Sequence, residues 1–417
     1  MSYKIRLTFA IVFLILCILG FAGLFYPAYV LNIQFAPLMQ RVFVDFSFVA
    51  LILLVFVLVL TLFRGRIYCS TLCPLGILQE CAGFILKKNN KPQKNLFYKY
   101  FILAAVFGAL SGGTAVLLMY FDPYTLFGSI LSVSIVGIVA FLLILIIIFF
   151  KNRFFCANLC PVGALLGIIS RFSVNKIHIK KDSCTSCGLC EKKCQSGCIN
   201  SAEKTIDNET CIKCLKCLDI CPKSSLKYST VPLKFNPKRR DFIAALSAVT
   251  LFGIFAKVGA KIGSKKAGEL QDVILPPGAI SEARFINKCT NCNLCVVNCP
   301  QKVIKKADAK FGAVRIDYSD GFCQFDCNKC AKICPTGAIK RLNLEEKQKT
   351  RIASAVINKS KCEQCKKCID SCPVKAIVLV GNQPKVNTEK CIGCALCKVN
   401  CENSAIEIHA TLNQKMV

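Results

Sequence analysis

The feature that most limits what this chain can become is a cysteine rhythm. Cys184, Cys187, Cys190 and Cys194 are spaced C-x2-C-x2-C-x3-C, and Cys211, Cys214, Cys217 and Cys221 repeat the spacing. The same run recurs at Cys289, Cys292, Cys295 and Cys299, at Cys362, Cys365, Cys368 and Cys372, and at Cys391, Cys394, Cys397 and Cys401. A sixth run, Cys323, Cys327, Cys330 and Cys334, has one extra residue after its first cysteine. Three thiolates two residues apart can wrap a loop around one cubane iron–sulfur cluster, while the fourth points into the neighbouring half and ligates the other cluster. Runs therefore work in pairs. Zinc sites use pairs of cysteines rather than runs of four, and disulfide scaffolds are far shorter and less apolar chains.

Sequential pairing assigns Cys184, Cys187, Cys190 and Cys221 to one cluster, and Cys211, Cys214, Cys217 and Cys194 to the next. It then groups Cys289, Cys292, Cys295 and Cys334, and Cys323, Cys327, Cys330 and Cys299. The last two sets are Cys362, Cys365, Cys368 and Cys401, and Cys391, Cys394, Cys397 and Cys372. The expectation is six [4Fe-4S] clusters in α+β, bacterial-ferredoxin-like two-cluster domains, with a nested pairing of the last four runs as the other possibility. Gln195 and Glu402 stand where proline follows the fourth cysteine of the other runs, and Cys198 is either a substitute ligand for Cys194 or a spare buried thiol. Val303–Lys306 with Ala313–Tyr318, and Ala376–Val380 with Lys385–Asn387 across Gly381–Pro384, read as hairpins. Such units have little apolar core, so their clusters must supply much of the folding free energy.

The rest of the chain has a different character. Hydrophobic residues make up 54% of the whole chain, and the long apolar runs crowd into the first 150 residues. Leu7–Tyr26, Phe46–Phe63, Phe101–Phe121 and Leu131–Phe150 each approach the roughly 20 apolar residues that cross a bilayer. Lysines and arginines cluster before the first span and after the second and fourth, which orients those loops towards the cytoplasm. A fifth, weaker segment, Phe242–Ala260, follows Arg239-Arg240 and has the form of a twin-arginine signal or tether. The expected architecture is a membrane α-helical bundle, four spans plus a fifth tether or signal helix, joined to the ferredoxin-like domains. Its parts are a four-span membrane domain (1–175), a cytoplasmic two-cluster domain (176–232), the signal or anchor helix (233–264) and a periplasmic four-cluster domain (265–417).

Two further motifs fall at the cytoplasmic membrane edge: Arg64-Gly-Arg-Ile-Tyr-Cys69-Ser-Thr-Leu-Cys73-Pro74 and Asn152-Arg-Phe-Phe-Cys156-Ala-Asn-Leu-Cys160-Pro161. Cys69, Cys73, Cys156 and Cys160 can hold a seventh cluster, form a thiol/disulfide pair, or simply pack. The formal net charge of +30 falls to about +18 once six clusters with their thiolates are counted, and no basic-aromatic array accompanies it. Nucleic acid is therefore not an expected partner.

What is absent narrows the chemistry. There is no Cys-x-x-Cys-His for covalent haem. His178 and His409 lie outside the spans, and no glycine-rich dinucleotide fingerprint follows a strand. One-electron transfer remains, with quinone as the candidate organic substrate and Glu80 or Asp122 as candidate proton acceptors.

The membrane motifs and the first two-cluster unit together resemble NapH-type ferredoxin proteins of periplasmic nitrate reductase systems, an arrangement NosR-type proteins share. From Arg239-Arg240 onward, including Leu275-Pro-Pro-Gly-Ala-Ile280 before Cys289, the chain is similar to NapG-type exported polyferredoxins. The resemblance implies a fusion of the two in the bacterial cytoplasmic (inner) membrane. Its expected partners are membrane lipid, the quinone pool and a periplasmic reductase or cytochrome. The expected role is a quinol dehydrogenase component feeding electrons to a periplasmic respiratory reductase. The alternative is an accessory electron donor for maturing or reactivating a periplasmic metalloenzyme.

Overall fold

A computed structural model describes residues 3–21, 33–45, 48–85, 98–111, 116–131, 135–150, 152–230, 252–257, 273–306, 313–319 and 321–416. The chain forms two compact units, one comprising Met1–Gly112 with Val116–Gly259, the other Gly113–Ala115 with Ala260–Val417.

The first unit joins apolar helices to one two-cluster domain. Tyr3–Phe21, of 19 residues, is the one described helix both long and apolar enough to cross a membrane by itself. It buries Arg6, Ala10, Phe13, Leu14, Cys17 and Phe21, a stripe at three- and four-residue steps, and leaves Phe9, Val12 and Ile15 bare. Phe48–Arg64 buries Ala50, Leu54, Val57 and Thr61 at the same spacing and exposes Phe48, Ile52, Val55, Phe56 and Val59. Ile135–Phe150 likewise exposes Ile138, Leu142, Ile146 and Phe149. A Cβ at Gly137 would stand 2.0 Å from the Ser129 carbonyl oxygen, so only glycine lets this helix lie against Pro123–Leu131.

These helices are shorter than the expected spans. Phe48–Arg64 has 17 residues and Ile135–Phe150 has 16, and the segment expected at 101–121 is described as two helices, Tyr98–Ser111 and Val116–Phe121. Arg239 and Arg240 lie outside the described residues, and of the fifth segment only 252–257 is described, as helix.

The two-cluster domain of this unit follows directly. Asn175–Ile179 pairs antiparallel with Leu226–Thr230, and Ile199–Asn200 with Thr205–Ile206. Two five-residue helices, Leu189–Lys193 and Lys216–Ile220, complete it. Its core is Ile177, Ile199, Leu215 and Leu226 together with Cys190, Cys194, Cys198, Cys211 and Cys217, so more than half of its interior is thiol.

The second unit carries the remaining four runs. Helix Glu282–Lys288, capped by the Ser281 side chain, leads into a short hairpin of Ile304–Lys305 with Arg315–Ile316. Thr350–Ile357 then pairs with Ile406–Met416, enclosing a hairpin of Ile377–Val380 with Gln383–Val386. That hairpin turns over Gly381-Asn382 alone, tighter than the four-residue turn expected. Gly381 sits at φ +63, which suits a two-residue turn, so Gln383 and Pro384 join the strand opposite Val380 and Leu379.

Candidate iron–sulfur sites

The cysteine runs share one backbone form. In five of them the residues on either side of the second cysteine both have left-handed φ: Ser186 and Gly188, Lys213 and Leu215, Asn291 and Asn293, Gln364 and Lys366, Gly393 and Ala395. The residue three beyond every fourth cysteine does the same: Gly197, Ser224, Lys302, Gly337, Lys375 and Ser404. For a side chain larger than glycine each such φ costs about 1 kcal/mol or more. Alternating left- and right-handed residues turn successive N–H groups inward and make a concave seat for an anion, the form that phosphate and iron–sulfur sites use. Backbone amides also reach the fourth sulfurs directly: Ser225 N to Cys221 Sγ at 3.3 Å, Ala376 N to Cys372 Sγ at 3.2 Å, Ala405 N to Cys401 Sγ at 3.3 Å. The sixth run departs here too. Its extra residue removes the left-handed pair, and Asn328, after Cys327, has φ −128.

The thiols gather in sets of four. Cys184, Cys187, Cys190 and Cys221 line one pocket. Cys299, Cys323, Cys327 and Cys330 line another, and Cys289, Cys292, Cys295 and Cys334 a third. Burial first, then the thiolates of Cys214, Cys211 and Cys194, raises Cys217 well above the ordinary thiol range. Burial, then Cys394, Cys391 and Cys372, pushes Cys397 up to about 12. Burial, then Cys362, Cys365 and Cys401, raises Cys368. Thiols gathered in fours, whose inner members such as Cys217, Cys397 and Cys368 resist ionisation, are a donor set that a cation stabilises as thiolate. Among the described residues no three such side chains converge tightly enough to chelate a single ion. The thiol ligands of a cubane stand farther apart, at its corners. The donor sets and their amide seats therefore fit [4Fe-4S] clusters.

Neighbouring sets also adjoin. Cys190 acts on Cys217 within the first unit. In the second unit Cys330 acts on Cys295, Cys394 on Cys323, and Cys368 on Cys397. The Cys323 amide donates to the Cys394 carbonyl at 2.8 Å, and the buried Tyr318 hydroxyl to the Gly393 carbonyl at 2.9 Å. The four sets of the second unit thus follow one another as a row.

The membrane-edge cysteines meet as well. Cys69, Cys73, Cys156 and Cys160 are all buried, and burial followed by the thiolates of Cys156, Cys69 and Cys160 raises Cys73 far above its usual value. Each half of the site is the same device. Proline begins the helix after the second cysteine (Pro74, Pro161), and the glycine two residues on lies against the carbonyl of the first cysteine. A Cβ would stand 2.6 Å from the Cys69 oxygen at Gly76 and 2.3 Å from the Cys156 oxygen at Gly163. Gly163 N donates to Cys160 Sγ at 3.3 Å. Three residues before each first cysteine stands an arginine that crosses to the other half. Arg66 Nη2 donates to the Cys156 carbonyl at 3.0 Å and Arg153 Nη1 to the Cys69 carbonyl at 3.4 Å.

Charge decides what such a site can hold. Arg6, Arg66 and Arg153 are at most 1% exposed. Glu80 binds Arg6 at 2.5 and 3.0 Å and Arg153 at 2.8 Å. Burial opposes its ionisation, but Arg153 and Arg6 prevail and hold the carboxyl below its ordinary range. Arg66 has no carboxylate: its hydrogen bonds go to the Cys156 and Glu209 carbonyls, and its Nη2 lies 3.9 Å from Cys69 Sγ. Even with buried Asp122 counted as ionised, one guanidinium charge is left over, and an unpaired buried charge is strongly destabilising. Neutral thiols or disulfides leave that charge unanswered, whereas thiolates on an iron–sulfide core answer it. The sequence reading picked out the four cysteines and passed over the arginines and glycines, although Arg-x2-Cys-x3-Cys-Pro-x-Gly occurs in both copies.

Arg66 also ties this site to the first unit's cysteine runs. The Glu209 carbonyl it holds at 3.0 Å is two residues before Cys211. Gln195 Nε2 donates to the Glu80 carbonyl at 3.1 Å, so the residue in the usual proline position is an anchor between the two sites. Glu80 also contributes, after burial, to pushing the Cys214 thiol up to about 12.

Comparison with known proteins agrees with this donor chemistry. A family model described as a 4Fe-4S binding domain matches residues 46–92 and again 133–180, the two halves of the membrane-edge site. A second 4Fe-4S binding domain model matches 181–197 and 208–228. Models of 4Fe-4S dicluster domains match 288–338, 322–376 and 354–402. The chain is 33% identical over 183 residues to the uncharacterized protein MJ0749 of Methanocaldococcus jannaschii, covering 41% of this chain and 68% of that protein. It is 29% identical over 234 residues to the putative electron transport protein YccM of Escherichia coli, covering 50% and 64% respectively. It is 24% identical over 193 residues to the ferredoxin-type protein NapH of Haemophilus influenzae, covering 42% and 66%.

Proposed function

The chain belongs to the ferredoxin-type iron–sulfur electron-transport proteins, and we propose that within them it is a membrane-bound quinol dehydrogenase component passing electrons to a periplasmic respiratory reductase. The observation that carries this reading is the continuity of the first unit. Arg66 touches the four-thiol site with one nitrogen and the loop entering Cys211 with another. Iron–sulfur clusters, when bound, supply one-electron transfer. The chain's residues hold them in order: Cys69, Cys73, Cys156 and Cys160 at the membrane edge, then Cys194 with Cys211, Cys214 and Cys217, then Cys184, Cys187, Cys190 and Cys221. In the second unit the row runs from Cys289, Cys292, Cys295 and Cys334, through Cys323, Cys327, Cys330 and Cys299, then Cys391, Cys394, Cys397 and Cys372, to Cys362, Cys365, Cys368 and Cys401.

In this reading Tyr3–Phe21, Phe48–Arg64, Tyr98–Ser111 with Val116–Phe121, and Ile135–Phe150 belong to four spans. Their exposed apolar faces favour lipid, and a 17-residue helix at 1.5 Å per residue covers about 26 Å of the roughly 30 Å hydrocarbon core. The basic flanks favour a cytoplasmic two-cluster domain at 176–232 and a second unit exported behind Arg239-Arg240, as in a NapH–NapG fusion. Asp122, buried with Oδ2 held by Thr125 and Oδ1 without a partner, is suited to accept a quinol proton.

Membranes in which this chain is the sole added redox protein test the reading. Quinol should bleach the cluster absorbance at respiratory rates, and a Cys69→Ser/Cys156→Ser double variant should abolish the bleaching. Fast bleaching in the double variant would remove the membrane-edge site from the path. Slow bleaching only with an immature metalloenzyme present would favour a maturation role.

A further inference from the structure

The residue four beyond each fourth cysteine lies buried beneath that cysteine's site, and its identity separates one site from the other five. In chain order these residues are Cys198, Ser225, Val303, Ala338, Ala376 and Ala405, all less than a tenth exposed. Throughout the second unit their side chains are apolar and carry no hydrogen-bond donor. Ser225 has a hydroxyl, which donates to the Ser183 carbonyl at 2.7 Å and stands beside the single sulfur of Cys221. Cys198 is different. Its Sγ lies 3.4 Å from Cys194 Sγ and also within hydrogen-bonding reach of Cys211.

The surroundings of Cys194 and Cys198 tell them apart. Cys194 acts on Cys211, Cys214 and Cys217, the three cysteines of the opposite run, and so completes their set. Cys198 meets Cys194 and Cys211. Its backbone is fixed there: Asp207 N donates to its carbonyl at 2.8 Å, Ile199 begins the hairpin strand, and Gln195 anchors the preceding loop to Glu80.

We infer that Cys198 is a positioning residue whose S–H donates to the sulfurs of Cys194 and Cys211, making the site they share easier to reduce than it would otherwise be. Both acceptors become more negative on reduction of the group they hold, so a donor at their sulfurs stabilises the reduced form more than the oxidised one. Hydrogen bonds to the sulfurs are one of the levers that set cluster potentials. The site concerned is the one next to the four-thiol centre, so Cys198 makes the first cluster beyond the membrane edge the favoured electron acceptor. This rests on the reading of these cysteines as [4Fe-4S] ligands.

The test is a redox titration of the full-length protein, purified anaerobically and followed by low-temperature electron paramagnetic resonance, with iron counted per chain. Cys198→Ala should keep all its iron and move one cluster to lower potential. The expected change is about tenfold in the one-electron reduction equilibrium, which is about 59 mV. Cys198→Ser, which keeps a donor, should recover most of that shift. An unmoved potential with full iron would overturn the inference, and so would the loss of one cluster, since Cys198 would then be a ligand. Wild-type protein without iron would sink the electron-transfer reading itself, and this inference with it.

Discussion

The two kinds of cysteine site in this chain neutralise the same anion by opposite means. In the runs the counter-charge is backbone: left-handed residues such as Leu215 and Lys366 turn amides towards the sulfurs; the first two and last two runs have small, thiol-rich cores, whereas the third and fourth pack on a larger apolar core around Phe285, Val314 and Ile339. At the membrane edge it is side chain: Arg66 and Arg153 cross between halves, and packed helices hold them. The difference separates what depends on metal from what depends on packing. A strained loop with a thiol interior has little reason to persist without its cluster. A helix bundle with a misfit charge keeps its fold and loses only its site.

Removing iron should therefore split the molecule's behaviour, and this is the largest effect expected. Chelation under reducing conditions should leave residues 175–230 and 355–406 open to protease, because their cores are small and largely thiol and cluster binding is most of their folding free energy. The helices from Tyr3 to Arg171 should resist digestion and keep their far-ultraviolet signal. Equal protection of both regions after iron loss would show that the runs hold themselves together and would end the contrast.

A smaller effect is expected from Arg66→Met, which keeps much of the side chain's bulk and removes its charge. The four-thiol site then lacks its counter-ion, and one centre's iron should be lost while the iron of the six runs stays. Where metal is retained, the buried anion is left unpaired, at a cost of about 3 kcal/mol. Iron per chain and the thermal midpoint read the two outcomes. Unchanged values for both would mean that the surplus guanidinium charge is answered elsewhere.

How legible each region was in the sequence follows from the same contrast. Run sites are local. Spacing alone places three ligands on one loop, and the fourth belongs to the next run, so the sets of four could be written down residue by residue. The membrane-edge site is assembled from segments 87 residues apart (Cys69 and Cys156), and its cysteines gave no hint of how charge would be balanced. Arg66, Arg153, Gly76 and Gly163 acquire meaning only when the two copies are overlaid. The role of Gln195 could not be read either, since it depends on a carbonyl 115 positions away.

The finest test of the contrast uses one backbone conformation found in both regions. Lys366 and Arg153 are both non-glycine residues with left-handed φ, +65 and +50. Lys366 is exposed on its loop, and the first run already has a glycine, Gly188, at the matching place. Lys366→Gly should relieve about 1 kcal/mol of strain, partly offset by the freer unfolded chain, for a net stabilisation of about 0.5 kcal/mol. Arg153→Gly relieves the same strain but strips Glu80 of one of its two guanidiniums, and should destabilise by about 3 kcal/mol. Urea unfolding of the iron-loaded protein reads both changes. Opposite signs would mean that left-handed geometry serves the anion seat in the runs and is incidental at the membrane edge, where the side chain decides. Two changes of the same sign would mean that backbone conformation governs both sites.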